Sequence, residues 1–124
     1  MAITKILLSG GGTDGKPLQG SGGYQTIHTA SSNATDIDEI WIWACNISAA
    51  DGKIASNWGS SGTVTNQNIF TIPADSGLYL IIPGLVLKGN AGVPKIVNVE
   101  TQNSGGGGAA GIINMVGYVN RHSV

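Results

Sequence analysis

Residues Ile37–Gly59 read IDEIWIWACNISAADGKIASNWG: a long apolar run, a turn and a second, shorter run. Ile40, Trp41, Ile42, Trp43 and Ile47 are β-branched or aromatic, the types that pack well on a pleated surface. Ala49-Ala50-Asp51-Gly52 carries the turn, with Asp-Gly as its strongest signal, so the stretch predicts a hairpin. Side chains alternate along a strand, which sends Ile40, Ile42 and Ala44 to one face and Trp41, Trp43, Cys45 and Ile47 to the other. Both faces are then apolar, whereas a strand in a one-layer surface sheet keeps a polar face. The strand is expected to have protein on both sides, from a second layer or from a partner subunit.

The rest of the chain follows the same grammar. Strands are predicted at Thr4–Ser9, Tyr24–Ala30, Ile37–Ser48, Lys53–Trp58, Asn68–Ile72, Leu78–Ile82, Lys95–Thr101 and Ile112–Asn120. No segment has helical periodicity. Gly10–Gly23 predicts a long loop, Ser60-Ser61-Gly62 starts another, and Pro73-Ala74-Asp75-Ser76-Gly77 forms a turn. Pro83-Gly84 is expected to end its strand, because proline cannot donate to a ladder. Ser104–Gly108 reads as a loop tip or tether. About eight short strands at regular spacing predict an all-β, single-domain antiparallel β-sandwich over residues 1–124, jelly-roll-like. Residues 9–23 would be a Gly-rich loop or docking arm. Leu78–Ile82 and Ile112–Asn120 are, like Ile37–Ser48, apolar on both faces. Subunit contacts would account for three such strands, since large apolar patches on monomers are uncommon. The interface residues expected on this ground are Trp41, Trp43, Tyr79, Ile81, Met115 and Tyr118.

Composition narrows the function. Only 10% of the 124 residues are charged, the net charge is −1, and 20 residues are glycine. The six Lys and Arg residues are scattered, which gives no stripe for nucleic acid and no reason to expect an anionic membrane. No run approaches the roughly 18 apolar residues of a membrane helix, and the start MAITKILLSGGG lacks a signal-peptide pattern. The expectation is a protein made in a reducing cytoplasm. The single cysteine, Cys45, excludes an intramolecular disulfide and reads as a small buried hydrophobe.

Candidate chemistry is sparse. KILLSGGGTDG has the look of a dinucleotide-binding turn, but Lys16-Pro17 and a Gly/Ser run follow where the phosphate-binding helix would start. Asp36, Asp38 and Glu39 form the densest acidic cluster and read as a solvated strand start, with Asp38 and Glu39 alternatively pairing with Lys or Arg of a neighbouring subunit. His28, on a strand of Thr and Gln, is expected to be half exposed, and His122 to lie at a frayed end. Neither has the nucleophile turn of a hydrolase beside it, and no enzyme, cofactor or metal site is expected. Trp41, Trp43 and Trp58 could stack on sugars, with packing as the competing role.

Several phrases in order resemble a known kind of protein. Ile27-His28-Thr29-Ala30 leads into Asp38-Glu39-Ile40-Trp41-Ile42-Trp43-Ala44-Cys45-Asn46. Thr71-Ile72-Pro73-Ala74-Asp75-Ser76-Gly77-Leu78 and Ile82-Pro83-Gly84-Leu85 follow, and the end reads Asn114-Met115-Val116-Gly117-Tyr118-Val119-Asn120-Arg121. This order resembles small virion proteins of tailed bacteriophages that decorate or cement the capsid. The resemblance implies a β-sandwich or jelly-roll subunit, usually a homotrimer, whose partner is the major capsid protein and whose place is the capsid surface. A tail, baseplate or fibre component is the alternative, and a carbohydrate-binding module a further one.

Overall fold

The computed structural model describes residues 2–10, 15–59, 67–105, 107–109 and 111–124. Among the described residues nine strands run in chain order: β1 (Ala2–Leu7), β2 (Leu18–Gln19), β3 (Gln25–Thr29), β4 (Ile37–Asn46), β5 (Gly52–Gly59), β6 (Gln67–Ile72), β7 (Tyr79–Lys88), β8 (Ile96–Asn103) and β9 (Ile113–Ser123). One sheet has the order β1-β9-β4-β7, with β2 also on β9, and the other has the order β3-β8-β5-β6. All the pairings are antiparallel. β2 pairs with β9, β3 with β8, β4 with β7, and β5 with β6. That nesting is one long eight-stranded ribbon rolled into two facing sheets, which is a jelly roll. β1 is an addition to it, lying beyond β2 along the same margin of β9.

Alternation sets the layers. Asp38, Ile40, Ile42, Ala44 and Asn46 of β4 are buried, while Glu39, Trp41, Trp43 and Cys45 between them are only partly covered. Met115 and Val119 of the neighbouring β9, with Ile54, Val97 and Val99 of the facing sheet, complete the shared core. Cys45 is thus half-buried on the outer face rather than inside.

Four expectations need correction. First, β4 and β5 do not form a hairpin: β4 lies in one sheet and β5 in the other. Their connection arches across the end of the sandwich around the buried Asn46 side chain. Asn46 Nδ2 donates to Ala50 O at 2.8 Å and Ile72 O at 3.1 Å, and Oδ1 accepts from Ser48 N at 2.9 Å. Second, Pro83 and Gly84 sit inside β7, where the register against β4 shifts twice. The strand tolerates them because β7 is an edge, and an edge proline need not donate.

Third, the Gly-rich stretch, expected as a loop or docking arm, carries a short strand and is tied to the sheets where it is described. β2 lies within it, Gly10 N donates to Ile27 O and Gly20 N to Ile113 O. Gly10 approaches β3 so closely that a Cβ there would lie 2.1 Å from Thr26 O. Residues 11–14 of that stretch, and the loop predicted to start at Ser60-Ser61-Gly62, lie outside the described residues. Fourth, the C-terminus is part of the sheet: His122 is opposite both Ile3 and Ile37. In the Ser104–Gly108 stretch, Asn103 Oδ1 accepts from Gly105 N and Gly107 N, which makes a loop tip.

The arch depends on the hydrogen bonds of Asn46. Asn46→Ala is expected to lower stability by about 2–4 kcal/mol, because it orphans several buried backbone groups. Asn33→Ala, in an exposed loop, is expected to cost under about 1 kcal/mol. Urea denaturation of the two variants beside the parent checks this.

Candidate functional site

Two groups of side chains stand out, one on each face of β4. The inner group is built on Asp38, which is fully buried at 0% exposure and not the solvated residue expected from sequence. Arg121 sits directly opposite it on β9. Its Nε donates to Asp38 Oδ1 at 2.7 Å and its Nη2 to Oδ2 at 2.8 Å, a bidentate pair. His28 of β3, in the other sheet, closes on the same carboxylate with Nε2 2.7 Å from Oδ2. His28 is also 0% exposed, against the half-exposed expectation. A register shift between Thr26 and His28 is the cause, since it turns Ile27 and His28 inward together.

The hydrogen bonds fix the tautomer. Ser9 N–H can only donate, and it points at His28 Nδ1 from 3.3 Å. Nδ1 is therefore the acceptor, and Nε2–H donates to Asp38. Ser9 Oγ lies 3.3 Å from the same Nδ1 and accepts from Thr29 N–H at 2.6 Å. Nearby, Ser31 Oγ donates to Asp36 Oδ2 at 2.6 Å, and Asp36 Oδ1 is buried with no partner among the described atoms.

Ser9, His28 and Asp38 are the residue types of an acyl-transfer triad, but they are arranged as a structural clamp. The serine backbone N–H competes for the ring nitrogen that a nucleophile would need. The next backbone donor, Gly10 N–H, is taken by Ile27 O at 3.0 Å. Among the described residues, no three His, Cys, Asp or Glu side chains converge as metal ligands.

The outer group covers the opposite face. Trp41, Trp43 and Tyr118 lie with ring centroids 6.4, 6.5 and 6.0 Å apart and interplanar angles of 22°, 15° and 29°. Three nearly equal separations describe a triangle of near-parallel rings, since a column would make one distance the sum of the others. Lys5 Nζ rests 4.5 Å from the Tyr118 centroid. Glu39 Oε1 accepts from Trp41 Nε1 at 2.8 Å and Asn120 Nδ2 at 3.0 Å, and Oε2 lies 3.5 Å from His122 Nε2. The Trp41 and Asn120 hydrogen bonds hold the Glu39 carboxyl below its usual pKa. The benzo edge of Trp41 lies over Gly84 (φ +75°), where a Cβ would come within 2.7 Å of Cζ2.

Of the six interface candidates, the fold brings together Trp41, Trp43 and Tyr118. Tyr79, opposite Ala44 at the start of β7, is exposed and outside the ring triangle. Ile81 and Met115 belong to the core and are unavailable to a partner. Trp58, the third sugar-stacking candidate, lies in the other sheet with its Nε1 donating to Val86 O at 3.2 Å. Exposed Ile3, Leu7, Leu80 and Val86 surround the triangle's sheet. Strand content alone does not reveal them; their parity against β9 and β4 does. Comparison with protein-family models, characterised proteins and solved structures gives no match to this chain.

Burial by itself raises the Asp38 pKa. The hydrogen bonds from Arg121 and His28, together with the Arg121 charge, outweigh it and bring the pKa down to about 2. The pairing correspondingly raises Arg121. A carboxyl depressed in the folded state contributes stability above its unfolded pKa and loses it as pH falls through the folded one. The expected loss is about 1–2 kcal/mol between about pH 4 and pH 2, allowing for screening on the Arg121 side. Asp38→Asn is expected to be less stable at neutral pH and to lack that increment. Denaturation series against pH for both proteins check it.

Proposed function

We propose that this chain is a structural protein of a tailed-phage virion, a decoration subunit that cements an assembled capsid lattice by protein–protein contacts. The observation that carries the reading is the outer face of the β1-β9-β4-β7 sheet. Trp41, Trp43 and Tyr118 tile its centre, exposed aliphatic residues such as Ile3 and Leu80 flank them, Glu39 is engaged by Trp41, Asn120 and His122, and Lys5 lies over the Tyr118 ring. Such a face suits burial against protein better than lasting contact with water. The order of phrases along the chain and the jelly-roll topology support the same reading.

Cementing needs shape and buried area and no catalyst. A subunit that binds the assembled lattice and not its separated parts stabilises the assembly by mass action. Repetition over many lattice positions turns weak sites into strong retention. The partner in this reading is the major capsid protein, the subunit is a homotrimer, and its place is the capsid surface. Quantitative mass spectrometry of purified virions is expected to find on the order of hundreds of copies per particle, as a lattice component requires. A few copies per particle would move the chain to the tail, baseplate or a fibre. Light scattering of the isolated protein is expected to give a trimer mass, and a strict monomer contradicts the homotrimer.

The ring triangle supports one second reading, a sugar-binding face, because flat aromatic platforms stack on the apolar faces of pyranoses. Glycan-array binding that Trp41→Ala and Trp43→Ala each abolish in folded protein would favour it over the lattice. Its absence leaves the aromatic face to protein contact.

A further inference from the structure

We propose that Ser9 and His28 form a proton-sensitive latch on the seam between the two sheets, and that protonating His28 opens it while the sandwich stays folded. The proposal does not rest on the lattice reading. The segment Leu8–Gly10 leaves β1, at the margin of one sheet, and crosses to β3, at the margin of the other. Leu8 drops into the core, Ser9 meets the His28 ring and the Thr29 amide, and Gly10 pairs with Ile27 O. One side of the sandwich is closed by these contacts.

The latch requires neutral imidazole. Ser9 N–H donates to Nδ1, and the Ser9 hydroxyl faces the same lone pair. A proton on Nδ1 sets the ring N–H against the Ser9 N–H and removes that amide's acceptor, leaving the ring only Ser9 Oγ, which already accepts from Thr29 N–H. The hydrogen bond at the other end of the ring keeps its direction, because Nε2–H donates to Asp38 Oδ2 in either charge state. Asp38 faces the ring from β4, Arg121 of β9 reaches it through Asp38, and Asp36, buried just before β4, acts on Arg121. Opposite His28 on β8 is Val97, which carries no charge. Asp38 is the charged group that meets the ring directly, at Nε2, so the loss on protonation falls on the Ser9 end. Asp38 stays ionised throughout, its pKa being about 2. Glu39 and His122 form a separate pair on the outer face of the sheet.

The test is a pH titration of the intact chain by ¹⁵N NMR from about pH 8 to about pH 5, the range in which histidines ordinarily change charge. It follows the His28 ring nitrogens together with the protection of the Ser9 and Gly10 amides, corrected for intrinsic exchange. Protection at Ser9 and Gly10 is expected to fall by about tenfold or more, with the midpoint of the His28 ring, while β5 and β8 amides keep theirs. His122→Gln is expected to leave that transition in place. The latch is overturned if protection stays constant as His28 titrates, if it follows His122 instead, or if His28 gains no proton before the whole protein unfolds.

Discussion

A carboxylate with no exposure, on a central strand of a small sandwich, constrains everything around it. Asp38 is costly to bury unless its charge is matched and its oxygens are hydrogen-bonded. Arg121 matches it from the neighbouring strand and His28 from the opposite sheet, so one side chain ties β4, β9 and β3 together. The pair also fixes register. Asp38 and Arg121 face each other directly, and a one-residue slip would separate them while turning Ile40 and Ile42 out to water. The position of β3, and through His28 the path of Leu8–Gly10, follows from the same anchor.

The division of β4 into two faces was legible from its alternation, and with it the all-β sandwich. The same parity places Asp38 with Ile40 and Ile42, so its burial was there to be read. It was masked by the general habit of charged residues to stay wet. His28 was not legible, because the register shift beside it breaks the period-2 rule locally. The hairpin expectation failed for a different reason. Asp51-Gly52 does mark a reversal, but whether the next strand pairs beside β4 or faces it across the core is decided by Asn46 and by partners distant in sequence. Pro83-Gly84 was read as a stop because proline costs a ladder bond, and that cost vanishes on an edge strand. Ile81 and Met115 went astray as interface residues because apolar content alone does not say which face is already occupied. β2, two residues inside a glycine-rich stretch, carries no period at all.

The outer face is what remains once the inner one is satisfied. Inward residues of β4 and β9 build the core, and the residues between them present Trp41, Trp43 and Tyr118 on the other side. Gly84 gives Trp41 room to lie across β7, and Lys5 of the added strand β1 settles on Tyr118. The fold thus links a polar anchor inside to an aromatic surface outside through a single strand. A binding role for that surface needs no movement of the backbone that Asp38 holds.

The central claim is that the Asp38–Arg121 pair is an energetic tie and not only a geometric one. A double-mutant cycle on Asp38→Asn and Arg121→Met, read by urea denaturation at neutral pH, measures it directly. The account predicts a coupling free energy of about 2 kcal/mol or more, in the upper range for contacting residues. A coupling below about 0.5 kcal/mol, the level of independent sites, would contradict it.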